Sequence, residues 1–358
     1  MNEDCLKLTA YFAERDRSGR HLLADVLLEI CERHALQTSV LLRGAEGFGS
    51  RQVLQTERIL SLSEDLPVTV VAVDTRERIR AALPAAEEAM GHGLLTLERA
   101  RMLTGHVDRV SLPEELHEAT KLTIYCGRYE RAGRRPVFAV IVDLLRQGGV
   151  IGATVMLGVD GTSHGVRERA RFFGRNARVP LMIVAIGPGS AISELLPEIA
   201  AMLEQPLLTL ERVRVCKLEG QRLADPHDVP DQDDSGLATW VKLMVHAGQD
   251  SKHAGRPLYV EIVRRLREAG ASGATVLQGV WGYYGERPPQ GDKLLSLRRH
   301  VPVTTVVVDT PTRIRRWFEI IDELTDEAGA VTSELVPAFR ARGAWGEAGG
   351  LRLAGKHE

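Results

Sequence analysis

Internal repetition limits what this chain can fold into more than any other feature. The segments LKLTAY from Leu6, LTIYCG from Leu122 and VKLMVH from Val241 read as one element written three times. Lys7, Lys121 and Lys242 lie 114 and 121 residues apart, and Gly44, Gly158 and Gly279 keep those two intervals, as do Gly47, Gly161 and Gly282. Pro67, Pro180 and Pro302 open apolar runs at intervals of 113 and 122, so one residue is gained or lost across the preceding loop. The 358 residues exceed what a single core needs, and the repetition divides them into units at 1–104, 119–217 and 238–340. The segments between the units are rich in Pro, Asp and Gly and read as linkers, and the tail 341–358 is expected to be disordered.

Within each copy the hydrophobic pattern changes period in a fixed order. Leu6, Leu8, Ala10 and Phe12 alternate with Lys7, Thr9 and Tyr11, the period of a strand. Leu23, Val26, Leu27, Ile30 and Cys31 then recur at helical spacing, answered by Val137, Ile141, Leu144 and Leu145 and by Leu258, Ile262, Val263 and Leu266. TSVLLRG, GATVMLG and GATVLQG predict a second strand, and PVTVVAVD, PLMIVAIG and PVTTVVVD a third. A second helix follows, weaker because Pro84 and Pro197 interrupt it, and then a short last strand. This βαββαβ order is the ferredoxin-like split motif of the α+β class, in which helices cover one face of a four-stranded antiparallel sheet.

The third strand adds a constraint. Leu181 to Ile186 and Val303 to Val308 are almost continuously apolar, the pattern of strands covered on both faces, and the helices can cover only one. The other two copies are the economical cover, which predicts an intramolecular pseudo-trimer. The alternative is three independent units whose sheets pair between chains. Lys7, Lys121 and Lys242 point away from the helix-packing face, where they line a central interface, reach a bound anion or extend to solvent.

One stretch, RGAEGFGSRQ from Arg43 to Gln52, packs three glycines around Phe48 at the end of the second strand. Such backbone freedom serves a bulged strand end before a long hairpin, or a loop whose N–H groups approach an anionic ligand. The other copies replace its tip with DGTSHG and WGYYGERPP, yet keep the flanking glycines 44/158/279 and 47/161/282, a pair that reads as structural. Trp281, Tyr283 and Tyr284 either stack on a base or partner or cap the loop.

KLTAYF, SVLLRGAEGFGSRQ, LSEDLPVTVVAVD and LPAAEEAMGHGLLTLERARML together resemble the family called domain of unknown function 190, over nearly all of the first copy and most of the others. That family is similar to the PII-like signalling proteins, trimers of ferredoxin-like subunits that bind adenine nucleotides in clefts between subunits. The resemblance implies a ligand site at Gly44, Gly47, Phe48, Gly49, Arg51 and Gln52, with a mobile loop running to about Leu66. It also places Gly91, His92 and Gly93 where the PII fold holds phosphates; the second copy has Glu204, Gln205 and Pro206 there. By the same resemblance the partners are a small-molecule ligand and a membrane transporter or channel as target.

Several other classes are disfavoured. The net charge of −2 with no basic tail argues against nucleic acid as a partner. Cys5, Cys31, Cys126 and Cys216 form no CxxC pair, so neither a disulfide framework nor a zinc site is signalled, and a reducing cytoplasm is the expected location. No long apolar stretch predicts direct membrane insertion. No catalytic triad, HExxH or GK[ST] motif is present, and the VQGV-like echo at Val276 to Gly282 ends a second strand instead of linking a first strand to a helix. The expectation is a non-enzymatic sensor, or else an interaction scaffold that kept the fold without the ligand.

Overall fold

The computed structural model describes residues 2–49, 52–56, 65–112, 118–163, 165–167, 180–234, 236–285, 288–291, 301–325, 329–342 and 347–351. Repeat 1 runs β1 (Asn2–Ala13), α1 (Leu23–Arg33), β2 (Thr38–Phe48), β3 (Pro67–Thr75), α2 (Arg76–Ala89) and β4 (His92–Thr104). Repeat 2 runs β5 (Glu118–Gly127), α3 (Val137–Gln147), β6 (Gly152–Leu157), β7 (Asp160–Ser163), β8 (Pro180–Gly187), α4 (Gly189–Ala201) and β9 (Leu207–Leu218). Repeat 3 runs β10 (Val241–Gly248), α5 (Leu258–Glu268), β11 (Ala274–Gln278), β12 (Trp281–Tyr284), β13 (Pro302–Asp309), α6 (Pro311–Leu324) and β14 (Ala330–Leu335), followed by β15 (Ala338–Arg342) and β16 (Glu347–Gly350).

In every repeat the first strand lies between the third and fourth, and the second strand pairs outside the third, all antiparallel. The two faces of each sheet take opposite residues of the strand period. In β1, Leu6, Leu8, Ala10 and Phe12 pack with Leu27, Leu28 and Ile79 of the helices, whereas Cys5 belongs to a second cluster on the other face. That second cluster draws Val71 and Val73 from repeat 1, Met182 and Val184 from repeat 2 and Leu277 from repeat 3. β8 accordingly divides, with Leu181, Ile183 and Ala185 under the helices and Met182 and Val184 inside, which accounts for its unbroken apolar run.

The repeats are joined by hydrogen-bonded strands in a cycle. Arg101–Thr104 of β4 pairs with Leu207–Leu210 of β9, the far end of β9 pairs with Ala330–Ser333 of β14, and β15 returns to His92–Thr96 of β4. A second cycle joins the ends of the second strands: Gly44–Phe48 of β2 lies on β11, β7 on Thr38–Leu41 of β2, and β12 on Gly152–Val155 of β6. Among the described residues, these sixteen strands and four shorter ones share one barrel-like sheet.

Two expectations are corrected here. Pro84 and Pro197 do not interrupt their helices, which run through as α2 and α4. Pro84 lies on the exposed face, so the carbonyl it orphans one turn earlier, at exposed Arg80, faces water, while Ile79, Ala82 and Ala86 anchor the buried face. Within the segment expected to be a disordered tail, the described residues 347–351 supply β16, which pairs with β15, and Leu351, buried in the core of repeat 1; 343–346 and 352–358 lie outside the described residues. The second linker is likewise strapped to α6: Arg222 pairs with Glu319 at 2.9 Å, Asp228 pairs with Arg315, and Asp231 accepts from the Thr312 amide at 2.8 Å.

Candidate functional site

At the centre, the inward period of the first and fourth strands brings six charges together. In-register pairing sets Lys7 opposite Glu98, Lys121 opposite Glu211 and Lys242 opposite Glu334. Each lysine also reaches the glutamate of another repeat. Lys7 meets Glu98 at 2.6 Å and Glu211 at 2.5 Å; Lys121 meets Glu211 at 2.7 Å and Glu334 at 2.6 Å; Lys242 meets Glu334 and Glu98, both at 3.0 Å. The result is a closed ring of alternating sign, buried on all sides.

Burial opposes the charge on Lys7 and Lys242, but the carboxylates outweigh it and hold both ammoniums above the ordinary lysine range. Burial likewise opposes ionisation of Glu98 and Glu334, yet the lysines bring both down, Glu334 to about 2. Lys121 is drawn below its ordinary value by burial, with the other two lysines adding to the effect. The three carboxylates could hold a cation, since their oxygens lie within 4.8 Å of one another. Each already rests on two ammoniums, however, so the donor set does not suit a metal. The ring therefore resolves the three readings of the lysines in favour of the central interface.

The glycine-rich stretch sits at the seam between repeats 1 and 3. A Cβ on Gly44 would lie 2.8 Å from the Val276 carbonyl oxygen, and one on Gly47 would lie 2.5 Å from that of Ala274, so both positions require glycine for strand contact. Gly161 and Gly282 meet the carbonyls of Ser39 and Ala153 in the same way at the other seams. Gly49 differs, because a Cβ there meets open space. Phe48 is buried in the core of repeat 3, among residues that include Ile262 and Val276. Gln52, at φ 57°, donates Nε2 to the Ala271 carbonyl at 2.8 Å and receives Arg267 Nε on its own carbonyl at 2.7 Å. Arg51 lies outside the described residues.

Beside this contact is an open cleft of ≈ 520 Å³ lined by Glu46, Gln52 and Leu54 of repeat 1 and Val260, Arg264, Arg267 and Glu268 of repeat 3. Gly91, His92 and Gly93 are not among its lining residues. His92 and Gly93 open β4 and lie in register with Arg342 and Ala341 of β15, so they too abut repeat 3, through a different strand. At the seam of repeats 2 and 3, Tyr283 is buried against the core of repeat 2 and its hydroxyl donates to the Val150 carbonyl at 2.8 Å.

Sequence reasoning singled out the lysines but passed over Glu98, Glu211 and Glu334, although LTLER recurs at Leu95 and Leu208. The missed signal was period: with Leu95 and Leu97 under the helices, Glu98 must share the inward face with Lys7.

The model of the family DUF190, described as an uncharacterized ACR, matches three times, over residues 5–102, 119–215 and 240–338. The chain belongs to the DUF190 family. Two curated relatives are each about one repeat long: a UPF0166 protein of Aquifex aeolicus is 32% identical over 79 residues, covering 22% of this chain and 75% of its own. A UPF0166 protein of Methanocaldococcus jannaschii is 28% identical over 99 residues, covering 27% of this chain and 91% of its own. Among solved structures, aspartate kinase from Synechocystis aligns at 11% identity and a TM-score of 0.26, covering 95% of this chain and 46% of that one, a likeness too slight to carry an argument. Among the described residues of this DUF190 chain, no helix is long and apolar enough to cross a membrane.

Proposed function

We propose that this DUF190 chain is a non-catalytic, PII-like sensor: a covalent pseudo-trimer of ferredoxin-like units that binds an adenine nucleotide between repeats and signals through the loop after Gly49 to a protein target. The observation that carries this reading is the cleft between repeats 1 and 3, which lies at the base of that loop and takes residues from both units. Gln52 belongs at once to the cleft wall and to the contact with Ala271, so a ligand there would bear directly on the start of the loop. The test is calorimetry of the full chain with ATP, ADP and AMP, alongside Gln52→Ala. Saturable binding weakened at least tenfold by the substitution supports the sensor; the absence of binding by all three nucleotides removes it.

A second reading, the scaffold without a ligand, draws on Phe48. Its burial in the core of repeat 3 gives the glycine-rich stretch a fastening role that needs no ligand.

A further inference from the structure

Three interior places are equivalent by repetition, and one of them is built from smaller side chains. Tyr11, Tyr125 and His246 keep the intervals of the ring lysines, 114 and 121, and Leu94, Leu207 and Ala330 keep those of the ring glutamates, 113 and 123. In each repeat the two residues stand opposite one another on the first and fourth strands. Each lies four residues from its ring member and so shares the inward face.

The third strand of a neighbouring repeat covers each pair. Tyr11 and Leu94 pack with Val306 and Val308, and Tyr125 and Leu207 pack with Val71 and Val73. His246 and Ala330 meet the corresponding Val184 and Ile186, but there a cavity of ≈ 20 Å³ remains, walled also by Tyr283 and Tyr284, with room for about one water. Its cause is legible in the residues: an imidazole stands where the other repeats have a phenol, and a methyl group where they have the side chain of leucine, on adjacent strands.

The polar atoms of this cavity are not satisfied by the protein. His246 is 9% exposed; its Nδ1 lies 3.2 Å from Thr304 Oγ1, and its Nε2 has no hydrogen-bond partner among the described residues. Whichever ring nitrogen carries the proton, Nε2 is left to donate or to accept. Tyr284 Oη approaches the Glu219 backbone but makes no well-formed hydrogen bond among the described residues, whereas the Tyr283 hydroxyl is committed to the Val150 carbonyl. Burial, helped by Lys121 and Lys242, brings the His246 pKa down to about 4, so the imidazole is neutral near pH 7 and calls for no counter-ion. A buried polar atom without a partner is costly, and a cavity with polar groups on its wall and space for one small molecule satisfies them by hydration.

We propose that this cavity is a buried hydration site between repeats 2 and 3, in which one water molecule bonds His246 Nε2 and Tyr284 Oη and takes the place that larger side chains fill at the two equivalent positions. A larger or charged ligand does not fit the volume or the walls, which include Ala153, Val184, Ile186 and Ala247. The site is independent of the sensor reading.

The experiment is a crystal structure of the full chain at a resolution that shows ordered water, with melting curves of Ala330→Leu and of the double variant Ala330→Leu, His246→Phe. Density within about 3.2 Å of His246 Nε2 is expected in the parent. Ala330→Leu restores the residue of the other repeats and takes the water's space, so the density disappears and the melting temperature falls by about 2 °C or more, because Nε2 loses its partner. The double variant has no nitrogen to satisfy and recovers the loss. A dry cavity gives the opposite sign, since Ala330→Leu then fills a void and melts higher. That rise, a parent cavity without density, or Nε2 bonded to a protein atom overturns the proposal. If crowding alone lowers the melting temperature of Ala330→Leu, the double variant melts no higher, and the density in the parent decides.

Discussion

Lys7 of the first repeat holds Glu211 of the second at 2.5 Å, across 204 residues of sequence, and the contact is one of six that close a ring of buried charge. Each member has two partners of opposite sign, which offsets the cost of removing six charges from water. Deleting one side leaves two carboxylates or two ammoniums facing an apolar gap. Lys7→Met is therefore expected to destabilise the chain by about 3–5 kcal/mol, read from denaturant unfolding. A loss below 1 kcal/mol would show that the ring contributes little.

The glycines of the second-strand ends make opposite forecasts within three residues. Gly47→Val drives a side chain into the Ala274 carbonyl and should cost about 1–3 kcal/mol or more, whereas Gly49→Val, with open space around it, should melt within a degree or two of the parent. Equal melting temperatures for the two variants would contradict the strand contact between β2 and β11.

Phe48 fastens repeat 1 to repeat 3. Phe48→Ala should cost about 3–5 kcal/mol and raise amide exchange at Ala274 and Thr275, whose strand it covers, more than in α1. Uniform exchange across the chain would indicate that the side chain does not hold this seam.

His246 gives the acid limb a distinct upper part. Burial, helped by the nearby Lys121 and Lys242, brings its folded value down from 6.5 to about 4. Because the unfolded chain takes up the proton first, the contribution is complete above pH 6.5 and is lost as pH falls towards 4, a change of about 3 kcal/mol at most. Glu334, depressed from 4.5 to about 2, adds a loss that begins below pH 4.5. His246→Gln should flatten stability between pH 6.5 and 4.5 while leaving the steeper fall below it; an unchanged profile in urea titrations would count against a buried neutral imidazole.

All four cysteines are free and buried, and burial pushes the thiols of Cys5, Cys31 and Cys216 up to about 12. The folded chain should yield almost no rapid reaction with an aromatic disulfide reagent at pH 8, and four equivalents once unfolded. A fast-reacting thiol in the native state would mean that one of these sites opens readily.

The repeats, their element order and the two-sided burial of the third strands were set by the sequence itself, because period 2, period 3.6 and a recurrence of 114 and 121 residues are local properties that survive without coordinates. The glycines at 44, 158 and 279 and at 47, 161 and 282 were legible too, since residues kept while the tips between them change must answer to backbone geometry. The partners were not. Which glutamate completes the bonding of Lys7, that Phe48 enters the core of another repeat, and that Arg167 of the second repeat reaches Asp25 of the first depend on how the three units are turned about each other. That turn is decided by strand edges and buried charge pairing between residues roughly 100 to more than 200 positions apart, and no spacing within a single repeat encodes it.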